Sequence, residues 1–126
     1  MYMKVLIIES EEVLLSAIEF RLRKQGFEVA FCKKKTSVEE HVKKEDPDLV
    51  LVDLDMGKQS GLDIVQQIQA LQGDKAKVLL IADPEEEEQI VKGFAMGVQD
   101  FLPKPFKPAE LILRVRRILG VFPDKV

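Results

Sequence analysis

The chain has 126 residues, 46% hydrophobic and 33% charged, with a formal net charge of −3; it is sized for one domain with a real core, not for disorder or for two ordinary domains. Its single cysteine, Cys32, excludes an internal disulfide framework and a Cys-rich zinc site, and the negative balance argues against direct nucleic-acid binding. No apolar run approaches the roughly 20 residues of a membrane span, and Met1-Tyr2-Met3-Lys4 leads straight into a strand rather than a signal peptide, so a cytoplasmic domain without membrane contact is expected.

Val5-Leu6-Ile7-Ile8 reads as a first buried strand ending at Glu9-Ser10. A helix follows with Leu14, Ile18 and Leu22 on one face and Gly26 as its stop, and Ser10 is placed to cap it. Glu28 to Cys32 is a weaker strand near an edge. Thr36 and Glu39 can form a capping box for a short helix carrying Val38 and Val42, where His41 reads as a surface or packing residue. Pro47-Asp48-Leu49-Val50-Leu51-Val52-Asp53 is the central strand, apolar throughout its middle, and Asp53 is the first ionisable residue beyond it.

Asp55 to Gly61 reads as a loop, and Ser60 with Asp63 can cap a helix whose buried face is Ile64, Ile68 and Leu71, ended by Gly73. Val78-Leu79-Leu80-Ile81 is a fourth strand ending at Ala82-Asp83. Asp83 should cap the next helix with Pro84 at its first position, Glu85 to Glu88 in its first turns, Ile90, Val91 and Phe94 on its apolar side, and Gly97 at its close. Asp100-Phe101-Leu102 is a short fifth strand broken by Pro103-Lys104-Pro105. Pro108 opens a last helix with Leu111, Val115 and Ile118 inward. The pattern is (βα)5, which right-handed crossovers turn into a doubly wound, five-stranded parallel sheet of order 2-1-3-4-5. Residues 1–121 make the domain, and residues 122–126 read as its C-terminal edge or a linker to something longer.

Parallel strands present their C-terminal ends on one edge, where ligands bind in such sheets. That edge should gather Glu9, Ser10, Asp53, Asp55, Ala82, Asp83 and Lys104, with Glu9 and Asp53 flanking the crevice at the switch point. Carboxylates crowded into one cleft repel, and Mg²⁺ held by one or two of them with water and a phosphate relieves that. Lys104 would favour ionised Asp53 and could pair with a phosphoryl oxygen. Such a carboxylate can attack phosphorus to give an aspartyl phosphate.

Over nearly its whole length the chain resembles a response-regulator receiver domain, CheY-like and flavodoxin-like in fold. The resemblance is carried by Lys4 to Glu11, Pro47 to Leu54, Ser60-Gly61-Leu62, Gly97 to Phe101 and Leu102 to Phe106 in that order and spacing. It implies a two-component phosphorelay role, with Asp53 as phosphoacceptor, Lys104 as the phosphate-contacting lysine, and Phe101 and Ala82 at the switch positions. It also implies a Mg²⁺ site from Glu9, Asp53, the Asp55 backbone carbonyl and, weakly, Ser10; a cis Lys104–Pro105 bond; and no enzyme activity beyond self-phosphorylation and self-dephosphorylation of Asp53. The implied partners are a histidine kinase or phosphotransfer protein and a downstream protein or fused output domain. A homodimer through the fourth helix, fifth strand and fifth helix is also implied, with Asp100 and Arg114 as contacts and Ile90 where a companion charge would stand.

The chain departs from the family at two functional positions. Ser10 replaces the second acid, and a neutral hydroxyl is a poor Mg²⁺ ligand. Ala82 replaces the switch Thr/Ser, so a phosphoryl group there meets no hydroxyl. A turn after the third strand has become Gly57-Lys58. Two other readings stand beside the phosphorylatable receiver: a pseudo-receiver that binds partners without phosphate, and a haloacid-dehalogenase-like phosphatase built on Asp53 and Asp55. A flavin-binding version of the fold is disfavoured by the acidic edge.

Overall fold

The computed structural model describes residues 3–32, 37–56 and 59–121. Ten main elements alternate along it: β1 (Lys4–Ile8), α1 (Glu12–Lys24), β2 (Glu28–Cys32), α2 (Val38–Glu45), β3 (Leu49–Asp53), α3 (Gly61–Gln72), β4 (Val78–Ala82), α4 (Glu87–Ala95), β5 (Asp100–Pro103) and α5 (Pro108–Leu119). The five strands pair in parallel in the order β2-β1-β3-β4-β5, the arrangement the sequence pattern predicts.

β1, β3 and β4 read as unbroken apolar runs because both faces of the sheet are covered. Alternate residues serve opposite layers. Val5, Ile7, Leu49, Leu51, Leu79 and Ile81 pack under α1 and α5, whereas Leu6, Ile8, Val50, Val52, Val78 and Leu80 pack under α2 and α3. α1 contributes Leu15, Ile18 and Leu22, α3 Ile64, Val65 and Ile68, and α5 Leu111, Val115 and Leu119. Leu14, Leu71 and Ile118, expected in the core, are only partly buried at its margin. In each case a residue one place over (Leu15, Leu119) or one turn back (Ile68) is the buried one.

The caps explain several element ends. Ser37 is the N-cap of α2, its Oγ accepting the Glu40 N–H at 3.2 Å, while Thr36 of the expected capping box lies outside the described residues. Ser60 caps α3 by accepting the Leu62 N–H at 3.2 Å. Pro108 stands in the first turn of α5, as expected. Asp55–Met56 and Gln59–Ser60 form a small antiparallel ladder where a plain loop is predicted, with Gly57 and Lys58 outside the described residues.

α4 is the main correction. It begins at Glu87 rather than Pro84. Asp83 spends its capping capacity on a turn, its carboxylate taking the Glu85 N–H at 2.9 Å and its carbonyl the Glu86 N–H at 3.0 Å. Only Glu87 and Glu88 therefore occupy the first helical turn. The face toward the sheet is Ile90 and Gly93, while Val91 is 60% and Phe94 44% exposed. Gly93 decides this: a Cβ there would come within 2.6 Å of Leu80 Cδ1, so glycine lets the helix backbone lie directly on β4.

Candidate functional site at the C-terminal edge of the sheet

Asp53 is the last residue of β3 and is 1% exposed. Its two oxygens are separately held. Oδ1 accepts the Asp55 N–H at 2.9 Å, and Oδ2 accepts Lys104 Nζ at 2.5 Å. Lys104 reaches it because β5 lies two strands away and its own N–H bonds the Ala82 carbonyl at 2.8 Å, prolonging the ladder past the end of β4. The Lys104–Pro105 bond is cis.

The backbone around Asp53 is equally fixed. Leu54 N–H donates to the Ile81 carbonyl and Gly61 N–H to the Leu54 carbonyl, both at 2.8 Å. A Cβ on Gly61 would stand 2.6 Å from both the Asp53 carbonyl oxygen and Leu54 Cα. Glycine is therefore required where α3 begins, because the helix start is pressed against the peptide that carries Asp53. The Ser60-Gly61-Leu62 motif marks this place in the sequence, but only the close approach explains it.

Glu9 follows β1 and is also 1% exposed, not a solvated acid. Its Oε2 accepts the N–H groups of Ser10 at 2.9 Å and Glu11 at 3.2 Å, so the side chain folds back over its own turn. Its Oε1 is buried with no hydrogen-bond partner among the described residues. Burial first, then hydrogen bonding with and the charge of Asp53, push the Glu9 carboxyl up to about 7, against the opposing pull of the Glu11 N–H and Lys104. With both acids ionised Oε1 is an orphan; a proton on Glu9 gives it Asp53 as a partner. Burial draws Lys104 downward, but the hydrogen bond and charge of Asp53, joined by Glu9 and Glu11, outweigh it and hold the ammonium above the usual lysine value.

The edge thus brings together Glu9, Asp53 and Lys104. Ser10 is exposed and does not cap α1; Glu11 takes that position with no side-chain cap, because the Ser10 and Glu11 N–H groups are turned onto Glu9. Asp55 is exposed and serves Asp53 through its backbone N–H. Ala82 is 1% exposed and sits in an apolar cluster with Leu54 and Ile90, against which Leu62 and Phe101 pack. Among the described residues no group of three or more His, Cys, Asp or Glu is arranged to hold a metal. His41 keeps to α2, its Nδ1 2.9 Å from the Ser37 carbonyl oxygen.

Asp100 and Arg114 meet within the chain. Arg114 NH1 donates to Asp100 Oδ2 at 2.8 Å, and Arg117 donates to the same oxygen. Arg117 is a partner that sequence reasoning missed, although its place three residues after Arg114 puts both on one face of α5. A concavity of about 780 Å³ opens between α1 and the β5–α5 turn, lined by Leu14, Ala17, Phe20, Lys104, Phe106 and Leu111.

A 2-1-3-4-5 sheet with a buried aspartate at its switch point, tied to a lysine after β5, defines a CheY-like α/β domain. The chain belongs to the response regulator receiver domain family, whose model matches residues 5–116. It is 34% identical to the sensory transduction protein RegX3 of Mycolicibacterium smegmatis over 91% of this chain and 50% of that protein. It is 28% identical to the alkaline phosphatase synthesis transcriptional regulatory protein PhoP of Bacillus subtilis, over 92% of this chain and 48% of the relative. The chain spans about half the length of the curated relatives it matches. Among solved structures, the receiver domain of NtrX from Brucella abortus superposes with a TM-score of 0.84 over 94% of this chain and 99% of that one, at 23% identity, which shows the shared fold. No helix among the described residues is long and apolar enough to cross a membrane.

Proposed function

We propose that this receiver domain takes a phosphoryl group on Asp53 from a histidine kinase or phosphotransfer protein in the cytoplasm and passes the change to a downstream protein or fused output domain. The observation that carries this is the Asp53 carboxylate, buried at the end of the central strand with Oδ2 bound by Lys104 at 2.5 Å. A carboxylate oxygen attacks phosphorus, the bond to the donor nitrogen breaks, and the donor imidazole keeps the electron pair and takes a proton. Lys104 can move from the carboxylate to a phosphoryl oxygen, keeping one charge-assisted bond throughout. No outside substrate is turned over; the chemistry is confined to gaining and losing phosphate at Asp53.

Mg²⁺ fits these residues. The orphaned Glu9 Oε1 and the adjoining Asp53 carboxylate supply the one or two acidic ligands that Mg²⁺ takes, with the Asp55 carbonyl and water completing the set and Ser10 contributing little. When bound, the ion would offset charge on the transferring group.

One observation favours the second reading, a domain that binds partners without phosphate. Ala82 presents only a methyl, buried among Leu54, Ile90 and Phe101. A homodimer through α4, β5 and α5 would have to work around an Asp100–Arg114 pair already closed within the chain.

Intact-mass measurement after incubation with a small phosphodonor and Mg²⁺, with Asp53→Asn as control, tests the proposal. One phosphoryl adduct that the variant lacks is expected. No adduct on the parent, with Asp53→Ala leaving partner binding intact, would replace the first reading with the second.

A further inference from the structure

α4 is lightly fastened. It buries only Ile90 and Gly93, and the glycine has no side chain with which to hold. Its N-cap, Glu86, makes no side-chain cap bond, and the preceding turn is exposed at Asp83, Pro84 and Glu85. α1 and α5, by contrast, each bury three large aliphatic side chains. At its C-terminal end the Met96 carbonyl accepts Gln69 Nε2 of α3 at 2.6 Å, and along its middle the further hold is aromatic. Phe94 stands edge-on to Phe101 of β5, with ring centroids 6.3 Å apart and planes at 86°, a favourable geometry for such a pair. Phe101 in turn packs on the Leu54, Ala82 and Ile90 cluster.

That cluster lies one residue from the charged site, since Leu54 follows Asp53. Every side chain in it is apolar, and the Ala82 methyl can neither donate nor accept a hydrogen bond. A change of charge or hydrogen bonding at Asp53 therefore meets no polar side chain in this cluster through which to draw on α4.

We propose that Phe94 is a latch fixing α4 to the sheet through Phe101, and that this pair, with Phe101 packed on the Leu54, Ala82 and Ile90 cluster, keeps the α4–β5 face in one arrangement whatever the state of Asp53. The latch is independent of the proposed phosphorylation; only its indifference to Asp53 rests on that reading.

Hydrogen exchange tests the latch without phosphate. In Phe94→Ala the amides of Val91 and Lys92 should exchange about tenfold faster, the scale of one lost aromatic pair. Leu79 and Leu80 in β4 should keep their rates, and Phe94→Tyr should restore α4. Acceleration of less than about twofold in α4, or equal acceleration in β4, would overturn the latch. NMR with beryllofluoride and Mg²⁺ tests the indifference. The amides of Asp53, Leu54 and Lys104 should shift while the Phe94 and Phe101 ring resonances stay in place, and in Ala82→Ser the rings should move as well. Rings that move in the parent together with Asp53 would overturn the indifference. If no resonance near Asp53 shifts, the phosphoacceptor reading fails, and the exchange arm still decides the latch.

Discussion

Asp53 and Leu54 are neighbours in the chain but belong to regions held by different physics. Both carboxylate oxygens of Asp53 have directed partners, and Glu9 is buried beside them with one oxygen held by its own turn and one left over. Around Leu54 the contacts are those of Ala82, Ile90 and Phe101, which have no direction and depend only on shape. Hydrogen-bonded geometry responds to a single added charge, whereas apolar packing responds to volume. One region can therefore change its chemistry while the other keeps its form, and the backbone between them is the place to join or separate the two.

The largest effect is expected where they share that backbone. Gly61→Ala drives a Cβ to 2.6 Å from the Asp53 carbonyl oxygen and Leu54 Cα, atoms that cannot rotate away. The gain in helix propensity is small beside this overpacking, and a loss of about 3 kcal/mol is expected from the denaturation midpoint. The loss should come with reduced phosphoryl acceptance, because the displaced peptide carries both regions at once. A fully active, equally stable variant would show that the two are not joined there.

Glu9 isolates the charged region. Its carboxyl titrates near 4.5 in an ordinary setting and near 7 in the fold, so in between the folded chain binds the proton that the unfolded chain has lost. The contribution to stability is complete below about pH 4.5 and disappears as pH rises through about 7. At most about 3 kcal/mol is involved. Lys104 has a raised value and keeps its contribution throughout this window. With divalent ions removed, the parent should lose stability from pH 5 to 8. Glu9→Gln, which can donate to Asp53 as the protonated acid does, should hold the low-pH stability across the range. Added Mg²⁺ at pH 8 should raise the parent's midpoint more than the variant's. A parent curve that is flat with pH would remove the orphaned carboxyl from the account.

The sheet was legible because its strands are buried on both faces and separated by helical stretches with clear stops. Asp53 and Lys104 could be brought together because topology alone places both strand ends on one edge. Other features depended on distances that a sequence does not carry. The apolar pattern puts Val91 and Phe94 inside, but with Gly93 against Leu80 it is Val91 that faces outward, while Phe94 stands half-exposed with its ring edge-on to Phe101. Asp83 has the chemistry of a helix cap, yet the same carboxylate closes the turn before the helix. Glu9 reads as a metal ligand, and only its burial and its bonds to Ser10 and Glu11 show an acid with one satisfied oxygen and one orphan.

The smallest effect concerns the opposite side of β5, where Asp100 is 8% exposed and receives both Arg114 and Arg117. The two arginines share an oxygen but not an environment: their side chains are 26% and 64% exposed. Arg117 gives up side-chain freedom in a well-solvated setting, so Arg117→Ala should change stability by no more than about 0.5 kcal/mol. Arg114 is the better desolvated and also reaches Glu110 at 3.4 Å. Its removal leaves a largely buried carboxylate with one oxygen on the Phe101 N–H at 2.9 Å and the other with only the solvated Arg117, at a cost of about 1–2 kcal/mol. Because Phe101 faces α4 and Asp100 faces α5, neither change should alter α4 exchange. If Arg114→Ala loosened α4 as much as Phe94→Ala, β5 would be carrying both attachments as one unit, and the latch would lie in the strand rather than in the aromatic pair.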